Sequence, residues 1–437
     1  MTTKQAKATQ RGPSSFCVPR AAVAALIEAK ATAYEVCAYL VLARYTDATG
    51  CYTSASISAV NKATGANKLK GGPVHRAIER LQQIRVTRSI TVEEKYTRFD
   101  RRSGRYKQAT RTVQRLEDLG AILVERGAWQ QQTGETLPDG PTERRQIRYV
   151  LPDFGEDHWS RVWFGNNLVS GVGGFAQPLK ALKNAGDVAA RLLLSLYAAN
   201  DMETWGGVRP VGTGRGPWRR YEPVADDVTL KTGDRLIRSK PYGVVATIEE
   251  CISGGSDAAY WHALGALESA GLVYEVVMVL NRNARPDQFN TGEKYGAIPD
   301  DAEPLYELDV RSAHGFKPEG EEGIGAATAS TAGALGGSVT LAGGRFDGTY
   351  AAIVPPGFPA MIAGVYRLRF RVANPRNAGV RGTWARIHEN NREAFERVQA
   401  VRRASKLPPL TSPWASNEAR ELATVNEFPA MDRLAIH

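Results

Sequence analysis

Only four cysteines occur in 437 residues, Cys17, Cys37, Cys51 and Cys251, and no two form a Cys-x-x-Cys pair. This argues against a disulfide framework or a zinc site and suits a reducing cytosol. Histidine is also scarce, with six scattered residues. There is no His-Glu-x-x-His, and no His-hydrophobic-His pair beside a tyrosine, so neither a zinc hydrolase nor a nicking-type endonuclease is expected. Walker and Gly-x-Ser-x-Gly motifs are missing too. Gly212, Gly214 and Gly216 lie close together, but no Gly-Lys-Ser/Thr follows them. No apolar run is long enough to span a bilayer, and the polar start "MTTKQAKATQRGPSS" has no signal-peptide core. The expectation is a cytoplasmic, non-enzymatic protein with no cofactor, no metal and no membrane partner.

Charge of one sign is plentiful. The net charge is +10 and the isoelectric point about 9.4. Residues 61–150 hold 19 Lys/Arg against 10 Asp/Glu, residues 1–60 hold 6 against 3, and the remaining 287 residues sum to −2. A local excess of this kind points to an acidic polymer as partner.

Hydrophobic spacing predicts helices over about 19–30 and 33–47, a short capped helix over 53–65, and another in "VHRAIERLQQI" after Gly71-Gly72-Pro73. A basic, polar stretch runs to about Tyr106. From there to Leu119 a helix is expected, with Ala109, Val113 and Leu116 on one side. Lys107, Thr110, Arg111, Gln114 and Arg115 would then be available to read DNA. "AILVER" and "RQIRYVLP" form a hairpin around a turn-rich tip. Further on, helices are expected at 187–201, 243–255 and 256–271, followed by the strands "LVYEVVMVLNR" and "EPLYELDV". The frames "RTVQRLEDLGAILVERG" and "WHALGALESAGLVYEVV" share Leu-Glu-x-x-Gly at an offset of 151. Tyr45 and Tyr197 stand at nearly the same offset, which suggests a duplicated unit.

A basic helix followed by a hairpin suits duplex DNA, because the major groove admits one α-helix. Arg126, Arg144, Arg145 and Arg148 flank the hairpin and would meet phosphates. Arg76 and Arg80, on the neighbouring helix, are weaker candidates, and 73–83 remains open as the reading helix. The second copy offers Tyr260, Trp261 and His262 in place of basic residues. "RPVGTGRGPWRRYEP" mixes arginine with Trp218 and Tyr221, which also suits single-stranded DNA. "PDFGEDHW" reads as a connector. In "GVYRLRFRV", Arg367, Arg369 and Arg371 alternate with Tyr366, Leu368 and Phe370, as in a strand with a basic outer face.

The duplicated helix–hairpin unit over about 19–311 resembles the tandem winged-helix replication initiators of plasmids and integrative mobile elements. The resemblance implies an α+β fold of two tandem winged helices. These would be a basic winged helix at 19–155 and a second at 156–314, preceded by an N-terminus at 1–18 whose polar composition predicts disorder. A flexible linker at 315–349 and a C-terminal β/α region at 350–437 complete the chain. It implies sequence-specific binding of double-stranded DNA, with single-stranded DNA, self-association and replication proteins as further partners. A transcriptional regulator and a winged-helix structural adaptor are the alternatives.

Overall fold

The computed structural model describes residues 15–46, 52–67, 71–100, 105–127, 146–151, 161–172, 175–201, 204–210, 216–224, 226–281, 298, 302–308, 324–335, 341–342, 345–346, 350–370 and 378–410. The chain mixes helix and strand in an α+β arrangement. It forms two compact units, each assembled from separated stretches. Unit 1 takes Met1–Ala198, Ile248–Val273 and Phe370–Val372, and unit 2 takes the remainder. The expected division near residue 155 does not appear, because helices from both sides of it share one core.

In unit 1, β1 (Ser15–Pro19) leads into α1 (Arg20–Glu28) and α2 (Ala33–Arg44). Thr32 and Glu35 form a capping box at the start of α2, and ten of its twelve residues are buried, so it is the central helix rather than an amphipathic surface one. β2 (Tyr52–Thr53) precedes α3 (Ile57–Thr64), which Ser56 caps and Gly65, at φ +64°, terminates. Next come α4 (Pro73–Leu81), the long strands β3 (Arg85–Asp100) and β4 (Arg105–Gly120), and the shorter β5 (Leu123–Gly127) and β6 (Gln146–Val150). β7 (Arg161–Gly165) pairs antiparallel with β1, so Ser15–Val18 are strand and not part of a disordered N-terminus. α5 (Asn167–Ser170), α6 (Pro178–Ala185), α7 (Asp187–Ala198), α8 (Glu250–Ser253) and α9 (Asp257–Ser269) complete the unit.

Against α2 pack α3, α4, α6 and α7. The Cys37 thiol donates to the Leu179 carbonyl at 3.5 Å, and the Ala33 N–H donates to the Asp187 carboxylate at 2.8 Å. Arg191 of α7 is buried. Its Nε and Nη2 donate to the Ile252 carbonyl at 3.2 and 3.0 Å, and its Nη1 donates to the Ala31 carbonyl at 3.1 Å. One guanidinium thus satisfies backbone carbonyls of the α1–α2 connection and of α8, which are far apart in sequence.

Unit 2 contains β8 (Asn200–Asp201), β9 (Gly207–Val208), β10 (Trp218–Pro223), β11 (Val228–Thr229), β12 (Arg235–Val245), β13 (Val273–Asn281, from Tyr274 onward) and β14 (Glu303–Glu307). α10 (Ile324–Ala334), β15 (Leu341–Ala342), β16 (Arg345–Phe346), β17 (Tyr350–Val354), β18 (Ala360–Leu368) and α11 (Ala378–Ala404) follow. The main sheet runs β11-β12-β10-β18-β13-β14, with β17 also paired to β12. Alternate residues of β13 enter different cores: Val277 and Val279 pack with Phe395 and Val398 of α11, whereas Val276 and Met278 pack with Trp205 and Trp218.

Three expectations for this unit fail for physical reasons. Val244 and Val245 pair with Arg219 and Trp218 as the end of β12, which leaves only four residues of the helix expected over 243–255. Within the expected linker 315–349, α10 buries Ile324, Ala327 and Ala332. Its small residues make a helix that packs closely against α11, while Thr328 and Thr331 return their hydroxyls to the Ile324 and Ala327 carbonyls. Arg367 is only 1% exposed and donates to Glu307 at 2.5 Å, so β18 has no basic outer face at that position. Both faces of the sheet are covered, and the guanidinium is retained inside by its ion pair.

Candidate nucleic-acid interface

The expected reading helix at 106–119 is a strand. β4 pairs with β3 over sixteen residues each, from Arg85↔Gly120 to Asp100↔Arg105. The physical reason is legible once the two runs are compared. Thr110, Thr112 and Val113 are β-branched, and the partner run carries Val86, Thr87, Ile90, Thr91, Val92 and Thr97. A helix here would rest on a stripe of only three apolar residues, whereas the ladder pairs the backbone groups of both runs.

The ladder redistributes the five residues assigned to that helix. Lys107, Arg111 and Arg115 oppose Arg98, Glu94 and Ile90 on one face of the ribbon, while Thr110 and Gln114 oppose Lys95 and Thr91 on the other. They do not form one reading surface. Arg126 and Arg148 lie on the β5–β6 hairpin as expected, but Arg126 opposes Ile147 and Arg148 opposes Glu125, so their register positions fall on opposite faces. Arg144 and Arg145 lie outside the described residues.

β3 and β4 form a two-stranded ribbon of their own. Ala121 N–H donates to the Ile84 carbonyl at 2.8 Å and closes its base. With residues 85–120 set aside, α4 runs almost directly into β5. Leu81 is then followed six positions later by Leu123, as Leu267 is by Val273. The buried residues agree with this alignment. Val74, Ala77, Ile78 and Leu81 line the inner face of α4, and Tyr260, Ala263, Leu264 and Leu267 line that of α9 with identical spacing. α4 and α9 thus share one spacing of buried positions, whereas the Leu-Glu-x-x-Gly frames at an offset of 151 compare a strand with a helix.

α4 presents Arg76, Glu79 and Arg80 outward. Arg80 leans back on the helix core: its Nε lies 3.9 Å from the buried Glu35 carboxylate, and its Nη2 donates to the Ala29 carbonyl at 3.5 Å. Arg76, one turn earlier, is the exposed cation near the start of the helix. On α9, Trp261 and His262 are exposed while Tyr260 is buried. Burial raises the Tyr260 phenol to about 12, and the nearby Glu249 carboxylate adds to the effect.

The Trp218–Tyr221 stretch offers no stacking platform. Both aromatic rings are buried in β10. Arg219 donates to Glu275 at 2.6 Å, and Arg220 lies over the Tyr242 ring at 4.9 Å.

Among the described residues, no group of three or more His, Cys, Asp or Glu side chains could hold a metal ion, and no helix is long and apolar enough to cross a membrane. No protein-family profile, curated protein or solved structure matches this chain.

Proposed function

We propose that the chain is a non-enzymatic, sequence-specific binder of double-stranded DNA, with α4 as its reading helix and the β5–β6 hairpin as its wing. One observation carries the reading: with the β3–β4 ribbon set aside, the order is α2–β2–α3–α4–β5–β6, and the three strands are arranged β2-β6-β5. That is the order of a winged helix, in which the last helix enters the major groove and the hairpin follows the backbone. Arg76 is the base-edge candidate on α4, because the buried stripe leaves it facing outward. Arg80 is held by Glu35 and acts in positioning the helix.

The equal spacing of buried residues on α4 and α9 supports a tandem arrangement. The outward face of α9 carries Trp261 with His262, Asp257, Glu268 and small residues but no Lys or Arg, which favours contact with a protein over contact with phosphate, either a second copy or a replication factor. The task this division of labour suits is replication initiation or maintenance of a plasmid or mobile element in the cytoplasm, with transcriptional regulation as the alternative.

Footprinting on DNA flanking the coding region tests the reading directly. On a protected site, Arg76→Ala should reduce the preference for cognate over random duplex by roughly 5- to 150-fold, from about 1–3 kcal/mol for a bidentate base contact. Its thermal midpoint should stay near that of the parent, since Arg76 is exposed. An unchanged preference rejects α4 as the reading helix.

A further inference from the structure

Residues 85–120 hold ten Lys/Arg against five Asp/Glu, whereas α4 itself is nearly balanced. More than half of the +9 excess of residues 61–150 therefore belongs to the ribbon. The ladder sorts it further. Alternate positions beginning at Val86 and Leu119 carry Arg88, Arg98, Arg105, Lys107, Arg111 and Arg115 against Glu94, Asp100 and Glu117. The other register carries Arg85 and Lys95 against Glu93 and Asp118, and is otherwise rich in Thr, Ser and Gln. One face is net positive and the other is neutral.

Two features of this ladder point to an anionic partner. Arg88, Glu94 and Asp100 oppose Glu117, Arg111 and Arg105, which leaves the uncompensated charge at Arg98, Lys107 and Arg115. Arg98 and Lys107 are directly opposed, and like charges at opposed positions destabilise an antiparallel pair. A two-stranded ribbon is also marginal in water without support on one face. A polyanion along the basic register would relieve the repulsion and supply that support.

We infer that the β3–β4 ribbon is a second DNA-binding element, which lays its basic face on the phosphate backbone beyond the segment read by α4. The inference rests on the duplex-binding reading of unit 1 and extends the same interface. Sixteen residues at about 3.3 Å each make an arm of roughly 50 Å, comparable to about 15 base pairs of duplex. The contacts are with phosphate, so the arm adds affinity and site length without choosing sequence.

The test uses the full chain and a mixed-sequence duplex long enough to extend one arm length past the protected site. Arg88, Arg98, Lys107, Arg111 and Arg115 are all changed to Gln, and affinity is measured across a salt series. Each phosphate contact contributes about 0.9 to the slope of log affinity against log salt. The slope should fall by about two to about five, and the footprint should shorten on one side. The ratio of cognate to random affinity should hold.

A second variant guards against misfolding of the first. Residues 87–118 are replaced by Asn-Gly, joining the opposed pair Val86 and Leu119 through a two-residue hairpin turn. It should show the same loss. Wild-type slope and footprint in both variants overturn the arm and leave α4 untouched. Loss of cognate preference with an unchanged slope also overturns it, by making the ribbon a base reader. Failure of the wild-type chain to bind duplex removes the arm together with the reading beneath it.

Discussion

Glu275 reaches across a neighbouring strand to its partners, and Gly364 leaves the space for it. Arg219 donates to one carboxylate oxygen at 2.6 Å, and the Tyr221 hydroxyl donates to the other at 2.8 Å. Burial pushes the Tyr221 phenol far above its ordinary range, and the Glu275 charge reinforces the shift. A Cβ at residue 364 would lie 2.1 Å from a Glu275 carboxylate oxygen and 2.9 Å from the Arg219 Cβ. Gly364→Ala should therefore destabilise the chain by about 1–3 kcal/mol, as overpacking does. Gly265→Ala is the matched control. A Cβ there meets nothing within 4 Å, and alanine should stabilise the interior of α9 by roughly 0.5–1 kcal/mol. Denaturant midpoints of the two variants moving in the same direction would refute this account. Cys37 supplies a pH prediction. Burial raises its thiol from 9.0 to about 12. The folded state holds that proton more tightly than the unfolded state. Its contribution is therefore complete below pH 9 and is lost as pH rises through the folded value. Cys37→Ala should lower stability at neutral pH and flatten its decline between pH 9 and 12, where each such group contributes up to about 1.4 kcal/mol per pH unit. Parallel stability curves for the variant and parent would rule this out.

Elements with a local cause were legible in the sequence. α7 begins and ends within three residues of the expected bounds, α9 begins at its Ser256 cap, and α3 stops at Gly65. The strand–helix error at 106–119 arose from reading one run alone. "RYKQATRTVQRL" gains its strand character from a mate about twenty residues earlier, and "VTRSITVEEKYTRF" carries six β-branched residues that mark it as one. The sequence between them, Asp100-Arg101-Arg102-Ser103-Gly104, supplies the turn signal of a hairpin. α10 was concealed differently. A Gly, Ala, Ser and Thr composition resembles a linker, and its helical state depends on packing against α11, which lies more than forty residues away. The site residues followed their elements. The basic character of 107–115 was evident, but its division between two faces depends on ladder register. Arg76 stood in the sequence as a weaker candidate, because nothing local distinguishes an exposed cation from one engaged with Glu35, as Arg80 is. Arg88 and Arg98, which the proposed arm uses, lie on a strand that the sequence reading does not expect.

At the scale of the molecule, the helical core of unit 1 joins residues on both sides of position 155, and this determines how the chain can be divided. α2 is buried on nearly every side, and α6 and α7 cover it. Cutting after residue 155 removes both covering helices and α9. It also takes away the Leu179 carbonyl that Cys37 meets, the Asp187 carboxylate at the start of α2, and Arg191 from the Ala31 carbonyl. Several core leucines and valines would face water at a loss of about 1.5–3 kcal/mol for each fully buried side chain, against a total stability of only about 5–15 kcal/mol for an ordinary domain. A fragment of residues 1–155 should therefore lack a cooperative thermal transition and should bind a hydrophobic dye. Co-expressed with residues 156–437, it should copurify with them as a complex that unfolds cooperatively. A sharp transition for 1–155 alone, close to that of the full chain, would establish it as an autonomous domain and separate the two helix–hairpin segments. If the fragment is instead unfolded, weak DNA binding by it reports lost structure rather than a missing interface. Point variants in the intact chain are then the proper comparison between α4 and α9.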